Sequence, residues 1–389
     1  MTSDPDHFRP IVSVSKDLDP SGENMRADSG RVIELLESGQ LAETSYPLPE
    51  TIDPTGILVR TDVATVCGSD VHSWRGRRPF PTPSILGHEI VGEIVELGEA
   101  IETDTAGKPL SIGDRIVWTI MANCGRCSFC RVKGLPQKCE ELFKYGHART
   151  DRPPHFNGGF GEYVYVRPGT CVFRVPGHLP SSIASPLMCA GATVAAGLDT
   201  IGIEPGDDVV VQGAGLLGLY ATAMANERDA GRIIVIDLDP RRLELATKFG
   251  ADLTLNPETA KDLVETVRDV CDGGADVAIE VTGAPSVVPT GVTMLDIGGR
   301  YVLHGSLYPD DRFELDGHDV ITKQLTIRGV HNYDATHLDT ALSFVERHLD
   351  NYPFDSIAGE EFPLTVTGVA AAMKALEERE SLRPAVVPE

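Results

Sequence analysis

The 389-residue chain reads as an α/β protein in two parts, a β-rich first half followed by a doubly wound parallel sheet. Three observations predict this. Between about Arg31 and Pro186, short apolar runs are separated by Gly and Pro signals, the texture of a β-rich domain. From about Gly202, apolar runs alternate with helix-like stretches, the pattern of βαβ units around a sheet covered on both faces. The join between the first of these runs and its helix carries Gly213-Ala214-Gly215-Leu216-Leu217-Gly218. With 41% hydrophobic residues, the chain can fill two ordinary cores, which excludes a small disulfide-stapled scaffold.

Taken in order, residues 1–30 are polar, with Pro, Ser, Asp and Gly scattered among them, and read as an extension of low structural commitment. Strands are expected from the apolar runs Gly56 to Arg60, Glu89 to Leu97 and Arg115 to Trp118. The second part should open with a strand from Asp208 to Gln212, a helix reaching Arg228, a strand from Arg232 to Asp237 and a helix from about Pro240 to Phe249. Further units follow at Asp262 to Cys271, Ala275 to Val281, Arg300 to His304 and Leu325 to Val330. Helix-like stretches near Leu338 to His348 and Val369 to Arg379 lead to a last apolar run, Pro384 to Val387.

Charge and leader patterns narrow the partners. Acidic residues number 58 against 34 Lys plus Arg, a net charge of −24, which repels phosphate backbones and anionic lipid and so argues against nucleic-acid or membrane partners. The start carries Asp4, Asp6, Lys16, Asp17 and Asp19 without an apolar run of signal-peptide length, so the expected location is the cytoplasm. The uncharged stretch Val175 to Leu198 is broken by Pro176, Pro180 and Pro186, and Val209 to Asn226 contains three glycines; neither reads as a membrane span. Eight cysteines in such a chain point to thiols or metal ligands rather than disulfides.

The glycine turn stands in the context a dinucleotide needs. Gly213 permits the tight turn, Gly215 lets the backbone approach a pyrophosphate, and Gly218 lets the helix pack on its strand, with the helix N-terminus aimed at the phosphates. Asp237, at the end of the second strand, sits where a carboxylate meets the adenosine ribose diol and would repel a 2′-phosphate, so NAD is favoured over NADP. Arg241 and Arg242 cut the other way, because a guanidinium suits a 2′-phosphate, although either can equally stack on adenine or contact the ribose.

Two metal sites are expected. Cys124, Cys127, Cys130 and Cys139 place four thiols within sixteen positions, enough to close a tetrahedron around Zn²⁺ with no open position, a structural site. An iron–sulfur cluster, a redox dithiol or unmetallated thiols are the competing readings. A dispersed set, Cys67, His88 with Glu89, and Cys189, offers one imidazole and two thiolates, a three-ligand shell that leaves a fourth position for water or substrate. Taken singly, a cysteine is more often a buried small hydrophobe and a histidine a satisfied core residue than a ligand. Cys171 and Cys271 read as packing residues. An open zinc site acidifies a bound hydroxyl, as alcohol oxidation requires. Ser69 and His72 lie close enough in sequence to Cys67 to pass on the proton, and Asp70 can orient a metal-bound histidine; a turn serine, a surface histidine and a capping aspartate are their plainer readings.

CGSDVH at 67–72, GHE at 87–89, the cysteine cluster, GGFGEY at 158–163 and GAGLLG at 213–218 resemble, in order and approximate spacing, the zinc-dependent medium-chain dehydrogenases over residues 31–389. The resemblance implies a GroES-like catalytic domain (31–190 with 334–389), a Rossmann NAD-binding domain (191–333) and a homodimer or homotetramer. It implies one catalytic and one structural zinc, with Cys67, His88 and Cys189 as catalytic ligands and Glu89 as the adjacent carboxylate that sits beside the metal or swings onto it. Ser69 and His72 match its proton relay, Thr193 a contact near the nicotinamide, and Arg242 a basic ribose contact. Two features depart from the pattern: the structural loop has eight residues before its last cysteine where familiar members have seven, and the extension has no counterpart.

The expected reaction is hydride transfer between NAD and a small polar alcohol, or its aldehyde or ketone. The CGSDVH form is closer to polyol and threonine dehydrogenases, whereas Cys189 matches ethanol-type enzymes. Arg75, Arg77, Arg78, Lys144, His147 and Arg149 form a basic patch that would suit a carboxylate, phosphate or phosphonate on the substrate, or would simply pair with the abundant acids. GLPQKC followed by LFKYGH also resembles zinc dehydrogenases associated with phosphonate metabolism. A zinc-free quinone or enoyl reductase and a zinc-ribbon binding protein without catalysis are the readings from other classes.

Overall fold

The structure is a computed structural model that describes residues 27–305 and 311–388. The expected extension lies outside the described residues up to position 26, and the first strand begins at Ser29.

A seven-stranded sheet organises the first half. Its order is Val172–Arg174, Arg115–Trp118, Glu89–Leu97, Ile57–Thr65, Arg383–Val387 and Ala358–Pro363, with Tyr163–Val166 also paired to Ile57–Thr65. A three-stranded sheet, Gln40–Pro47, Ser29–Glu37 and Ser84–Ile85, closes over it through Ile33 N–H to Phe160 O. Leu58, Ile90, Val117, Trp118, Phe160 and Val164 are buried from solvent and belong to the core of this half. On the central strand the exposed Arg60 and Asp62 alternate with buried Val59, Thr61 and Val63.

The second half is a six-stranded, all-parallel sheet in the order Leu253–Leu255, Ile233–Ile236, Val209–Gln212, Ala275–Glu280, Leu295–Leu303, Thr326–Gly329. Numbered along the chain this is 3-2-1-4-5-6, the doubly wound order with its switch point beside the first strand, where a crevice forms to receive a ligand. The runs Val209–Gln212 and Ile233–Ile236 are buried throughout, as strands covered on both faces must be.

Two connections join the halves. The helix Ala190–Ile201 packs on both Leu216–Glu227 and Ala335–His348. Nine of its twelve residues are buried, so it has no polar face to mark it in the sequence. After Ala335–His348 the chain rejoins the first sheet at Ala358–Pro363 and Arg383–Val387. Among the described residues no single helix is long and apolar enough to cross a membrane; a bent pair, Ser181–Met188 with Ala190–Ile201, passes on length and composition but runs through the core.

Candidate active site

Sheet register brings the dispersed residues together. Ile57–Thr65 and Glu89–Leu97 pair antiparallel with Thr65 opposite Glu89, so Cys67 and His88 leave the same end of the same strand pair. Arg383–Val387 pairs with the other edge of Ile57–Thr65, Ala385 opposite Thr65, which carries Arg383 to that end as well. Cys189 arrives on the turn before Ala190–Ile201. That turn is pinned to the sheet by Ser185 Oγ donating to Glu89 O (2.8 Å) and Ile90 N–H donating to Met188 Sδ (3.1 Å). As a result one ligand atom each from Cys67, His88, Glu89 and Cys189 lies within 4.8 Å of the others.

The surrounding contacts orient these groups. Asp70, buried on the short helix Gly68–Trp74, accepts from Cys67 N–H (3.0 Å), Gly87 N–H (3.1 Å) and His88 Nδ1 (3.2 Å). A carboxylate on Nδ1 fixes the imidazole tautomer and leaves Nε2 for a metal. Ser69 Oγ lies 3.4 Å from that Nε2. Glu89 receives Arg383 Nη2 on one oxygen (3.0 Å) and Thr65 Oγ1 on the other (2.7 Å), and Arg383 Nη2 also reaches Cys67 Sγ at 3.8 Å. Glu89, Arg383 and His88 are buried, while Cys189 is partly exposed, so the site opens on the Cys189 sulfur side.

Electrostatics favour a cation here. Hydrogen bonding from Cys189, with Arg383 and His88 close by, holds Cys67 well below the usual thiol range, and the same contact pushes Cys189 up. Burial works to lower His88, but Asp70 and Cys67 outweigh it and raise it to about 10. Burial pushes Glu89 up to about 8 against the pull of Arg383 and His88; the direct pair with a guanidinium is the geometry of a charged carboxylate. An electron-rich donor set with an open side fits Zn²⁺.

The second cluster is local. Cys127 Sγ lies 3.5 Å from Cys130 Sγ and 3.9 Å from Cys139 Sγ, near the edge of about 3.8 Å that a tetrahedron with Zn–S bonds of about 2.3 Å requires. The sulfurs of Cys124, Cys127, Cys130 and Cys139 all lie within 4.8 Å of one another. Backbone N–H groups of Cys124 and Glu141 point at Cys139 Sγ and that of Cys127 at Cys124 Sγ. Such bonds, from Glu140 and Cys130, hold Cys127 down to about 6, whereas burial and the neighbouring sulfurs push Cys130 up to about 12.

The nucleotide turn borders a cleft of about 350 Å³ lined by Gly213, Gly215, Asp237 and Arg242, together with Leu238 and Arg379. Gly213 has φ +110°, and a Cβ on Gly218 would stand 1.8 Å from Gly213 O, so both positions demand glycine. A Cβ on Gly215 would meet only Arg242 Nη1 at 3.8 Å, which leaves room for a ligand against the backbone. Leu216 and Leu217 open the helix. Asp237 accepts from Ala214 N–H (2.7 Å) and Asp239 N–H (2.9 Å) at the cleft edge. Thr193 is the one position from Ala190 to Leu198 that is not buried.

The basic patch divides. Arg75 and Arg77 both bind Glu377, and Arg149 binds Asp151, so these three pair with acids. Arg78, Lys144 and His147 stay beside the site: Arg78 Nη2 donates to Ser73 Oγ (2.7 Å) and Ser69 O (3.2 Å) and lies 3.2 Å from His147 Nε2. His72 lies one helical turn beyond Ser69 on the same face. Cys171 is half-buried and Cys271 buried, both away from either cluster.

Sequence reasoning missed three residues. Arg383 is buried in a short apolar strand, and an arginine in such a run is the signal it offered. Glu280 ends a buried strand and accepts from Thr282 N–H and Gly283 N–H (2.7 Å each) and Gly305 N–H (3.0 Å), tying together two loops at the C-terminal edge of the parallel sheet. Tyr333 donates to Met188 O and accepts from Ile120 N–H (3.1 Å), crossing from the second half to the site.

Comparison with known proteins agrees with this architecture. The family model described as "Alcohol dehydrogenase GroES-like domain" matches residues 53–177, and that described as "Zinc-binding dehydrogenase" matches 217–347. The chain is 34% identical to a 5-exo-hydroxycamphor dehydrogenase of Pseudomonas putida over 89% of this chain and 94% of that one. It is 30% identical to an L-threonine 3-dehydrogenase of Rhizobium rhizogenes over 79% of this chain and 85% of that one. An alcohol dehydrogenase structure from Thermotoga maritima superposes with a TM-score of 0.87 at 32% identity, covering 93% of this chain and all of that one. A β-rich GroES-like half and a doubly wound half, matched over most of their length by zinc-type dehydrogenases, make this chain an oxidoreductase of the zinc-dependent medium-chain alcohol dehydrogenase family.

Proposed function

We propose that the chain oxidises a small polar alcohol, or reduces the matching aldehyde or ketone, with NAD as hydride carrier and zinc held by Cys67, His88 and Cys189. The observation that carries this reading is the convergence of those three ligand atoms, with an open sulfur side, at the start of the helix that packs on the nucleotide-binding helix. Zinc in that shell supplies the Lewis acidity that brings a hydroxyl into a titratable range near neutrality, and nicotinamide supplies the hydride acceptor.

The chain's own residues do the rest. Asp70 holds His88 in the ligating tautomer, and Glu89, clamped by Arg383 and Thr65, stays beside the shell. Ser69 takes the substrate proton and His72 passes it to solvent; burial, with Arg77 and Arg78 adding to it, holds His72 below the usual imidazole range, so it is neutral and ready to accept. Gly213, Gly215 and Gly218, with Leu216 and Leu217, shape the pyrophosphate turn; Asp237 takes the ribose diol, Arg242 contacts the ribose, and Thr193 lies near the nicotinamide. Cys124, Cys127, Cys130 and Cys139 hold a structural zinc. An anionic substituent on the substrate, a homodimer or homotetramer, and a cytoplasmic location belong to the same reading. A polyol or amino-alcohol substrate is the second reading, favoured by the identity to L-threonine 3-dehydrogenase.

The test is zinc content together with reduction of NAD and NADP by a panel of alcohols, polyols and hydroxy acids. Two zinc ions per chain and faster turnover with NAD are expected. Metal confined to the loop cluster, or no nucleotide reduction by zinc-replete protein, sinks the reading.

A further inference from the structure

Among the described residues, cations with no acid within ion-pair distance gather beside the candidate zinc site of this strongly acidic chain. Lys144 ends the short strand Phe143–Lys144, paired with Met121–Ala122. Alternation sets its direction. The Phe143 and Tyr145 rings meet at 5.1 Å and Arg167 lies over Phe143, so those two share one face and Lys144 leaves by the other. There the half-buried ammonium is close enough to Cys189 and Cys67 for their charges to act on it, with Arg78 and Lys138 also near, and no carboxylate is among these neighbours. Arg78 is spent on Ser73, Ser69 and the His147 ring, which itself stands edge-on to His88 at 5.1 Å. At the rim, Lys138 Nζ meets His331 Nδ1 at 2.5 Å, across from the second half of the molecule.

The charge count sharpens this. A dication among two thiolates and a neutral imidazole makes a neutral shell, Glu89 with Arg383 is a neutral pair, and the buried Asp70 carboxylate on His88 adds one negative charge. Set against Asp70, the two cations Lys144 and Arg78 leave one positive charge uncompensated beside the site. A partly buried ammonium is stabilised by a counter-ion, and the acids that meet the rest of the basic patch, Glu377 and Asp151, are taken by Arg75, Arg77 and Arg149.

We propose that Lys144 supplies the specificity of this site, binding a carboxylate, phosphate or phosphonate carried by the alcohol substrate, with Arg78 and Lys138 adding to the positive field. The inference rests on the zinc alcohol dehydrogenase reading above and narrows its substrate to hydroxy acids or their phosphorus analogues.

The experiment compares the zinc-loaded wild type with Lys144→Met and Lys144→Arg on matched pairs: 3-hydroxybutyrate against its methyl ester, and 2-hydroxyethylphosphonate against its dimethyl ester. The pairs also separate carboxylate from phosphorus acids. Expected is a loss of about tenfold to a hundredfold in kcat/KM for an acid with Lys144→Met, carried by KM, near-constant values for the esters, and recovery with Lys144→Arg. A wild type that prefers the esters, or a variant that loses equally on both members, overturns the proposal. Turnover of neutral alcohols alone overturns it while leaving the zinc dehydrogenase reading intact. If no alcohol reduces NAD, that reading fails, and calorimetry of the free acids on the NADH-bound protein still decides Lys144: equal affinity for wild type and Lys144→Met overturns its role.

Discussion

The two sulfur clusters solve the same coordination problem in opposite ways. The loop cluster draws four thiols from sixteen consecutive residues and aims them with backbone N–H groups of the same segment, at Cys124, Cys127 and Glu141. It sits among exposed side chains such as Val132, Leu135 and Leu142, with little packing of its own. The other cluster joins Cys67 to Arg383, 316 residues apart, and its geometry is the register of three strands and one turn. Its orienting groups Asp70, Glu89 and Arg383 are buried charges that only the finished sheet can bring together. The loop should therefore depend on its metal for its shape, whereas the dispersed site should keep its shape without metal and lose only its chemistry.

The largest effect that tests this contrast is Cys189→Ala. Removing one ligand from a site framed by the sheet should cut NAD-linked turnover by about 10³-fold or more, lower zinc from two ions per chain to one, and leave the thermal midpoint close to wild type. Loss of both metals, or a large fall in midpoint, would break the contrast, because the dispersed site would then be holding the fold.

The same division explains what could be read from the letters. The loop cysteines and GAGLLG are local, so spacing alone carries them, and runs such as Val209–Gln212 and Ile233–Ile236 announce a parallel sheet because both faces are buried. Arg383 acts only through pairing with Ile57–Thr65, and Glu377 meets Arg75 and Arg77 across about 300 positions, which no window on the sequence reveals. Ala190–Ile201 escaped for a different reason: nine buried residues of twelve erase the periodicity by which a helix is recognised. Lys144 was visible as one basic residue among six, but its place beside the two sulfurs and the cations Arg78 and Lys138 is a property of the fold.

Next in size is Cys127→Ala in the loop. A metal-closed loop behaves as a cross-link, and its loss should cost about 2–5 kcal/mol of stability, read as a lowered thermal midpoint and as protease cleavage between Cys124 and Cys139. Zinc should fall to one ion per chain while ligands at the dispersed site remain assembled. Unchanged proteolysis and midpoint would show that the loop is shaped by its own hydrogen bonds rather than by metal.

The finest distinction comes from Asp70→Asn, which keeps the shape of the side chain and removes its charge. Both carboxylate oxygens accept, one from Cys67 N–H and the other from Gly87 N–H and His88 Nδ1. An amide has one acceptor oxygen, so its NH₂ must face a donor. Turning it toward Cys67 sacrifices one bond, and turning it toward Gly87 and His88 sacrifices two, so the oxygen should stay on His88 and the NH₂ should confront Cys67 N–H. The ligating tautomer survives, but the start of Gly68–Trp74 loosens and Cys67 with it. Zinc affinity at the dispersed site should fall by about 10–100-fold, measured by competition with a chelator, while the loop metal is released at the wild-type chelator concentration. If both metals weaken together, the buried carboxylate is supporting the whole domain rather than orienting one ligand pair.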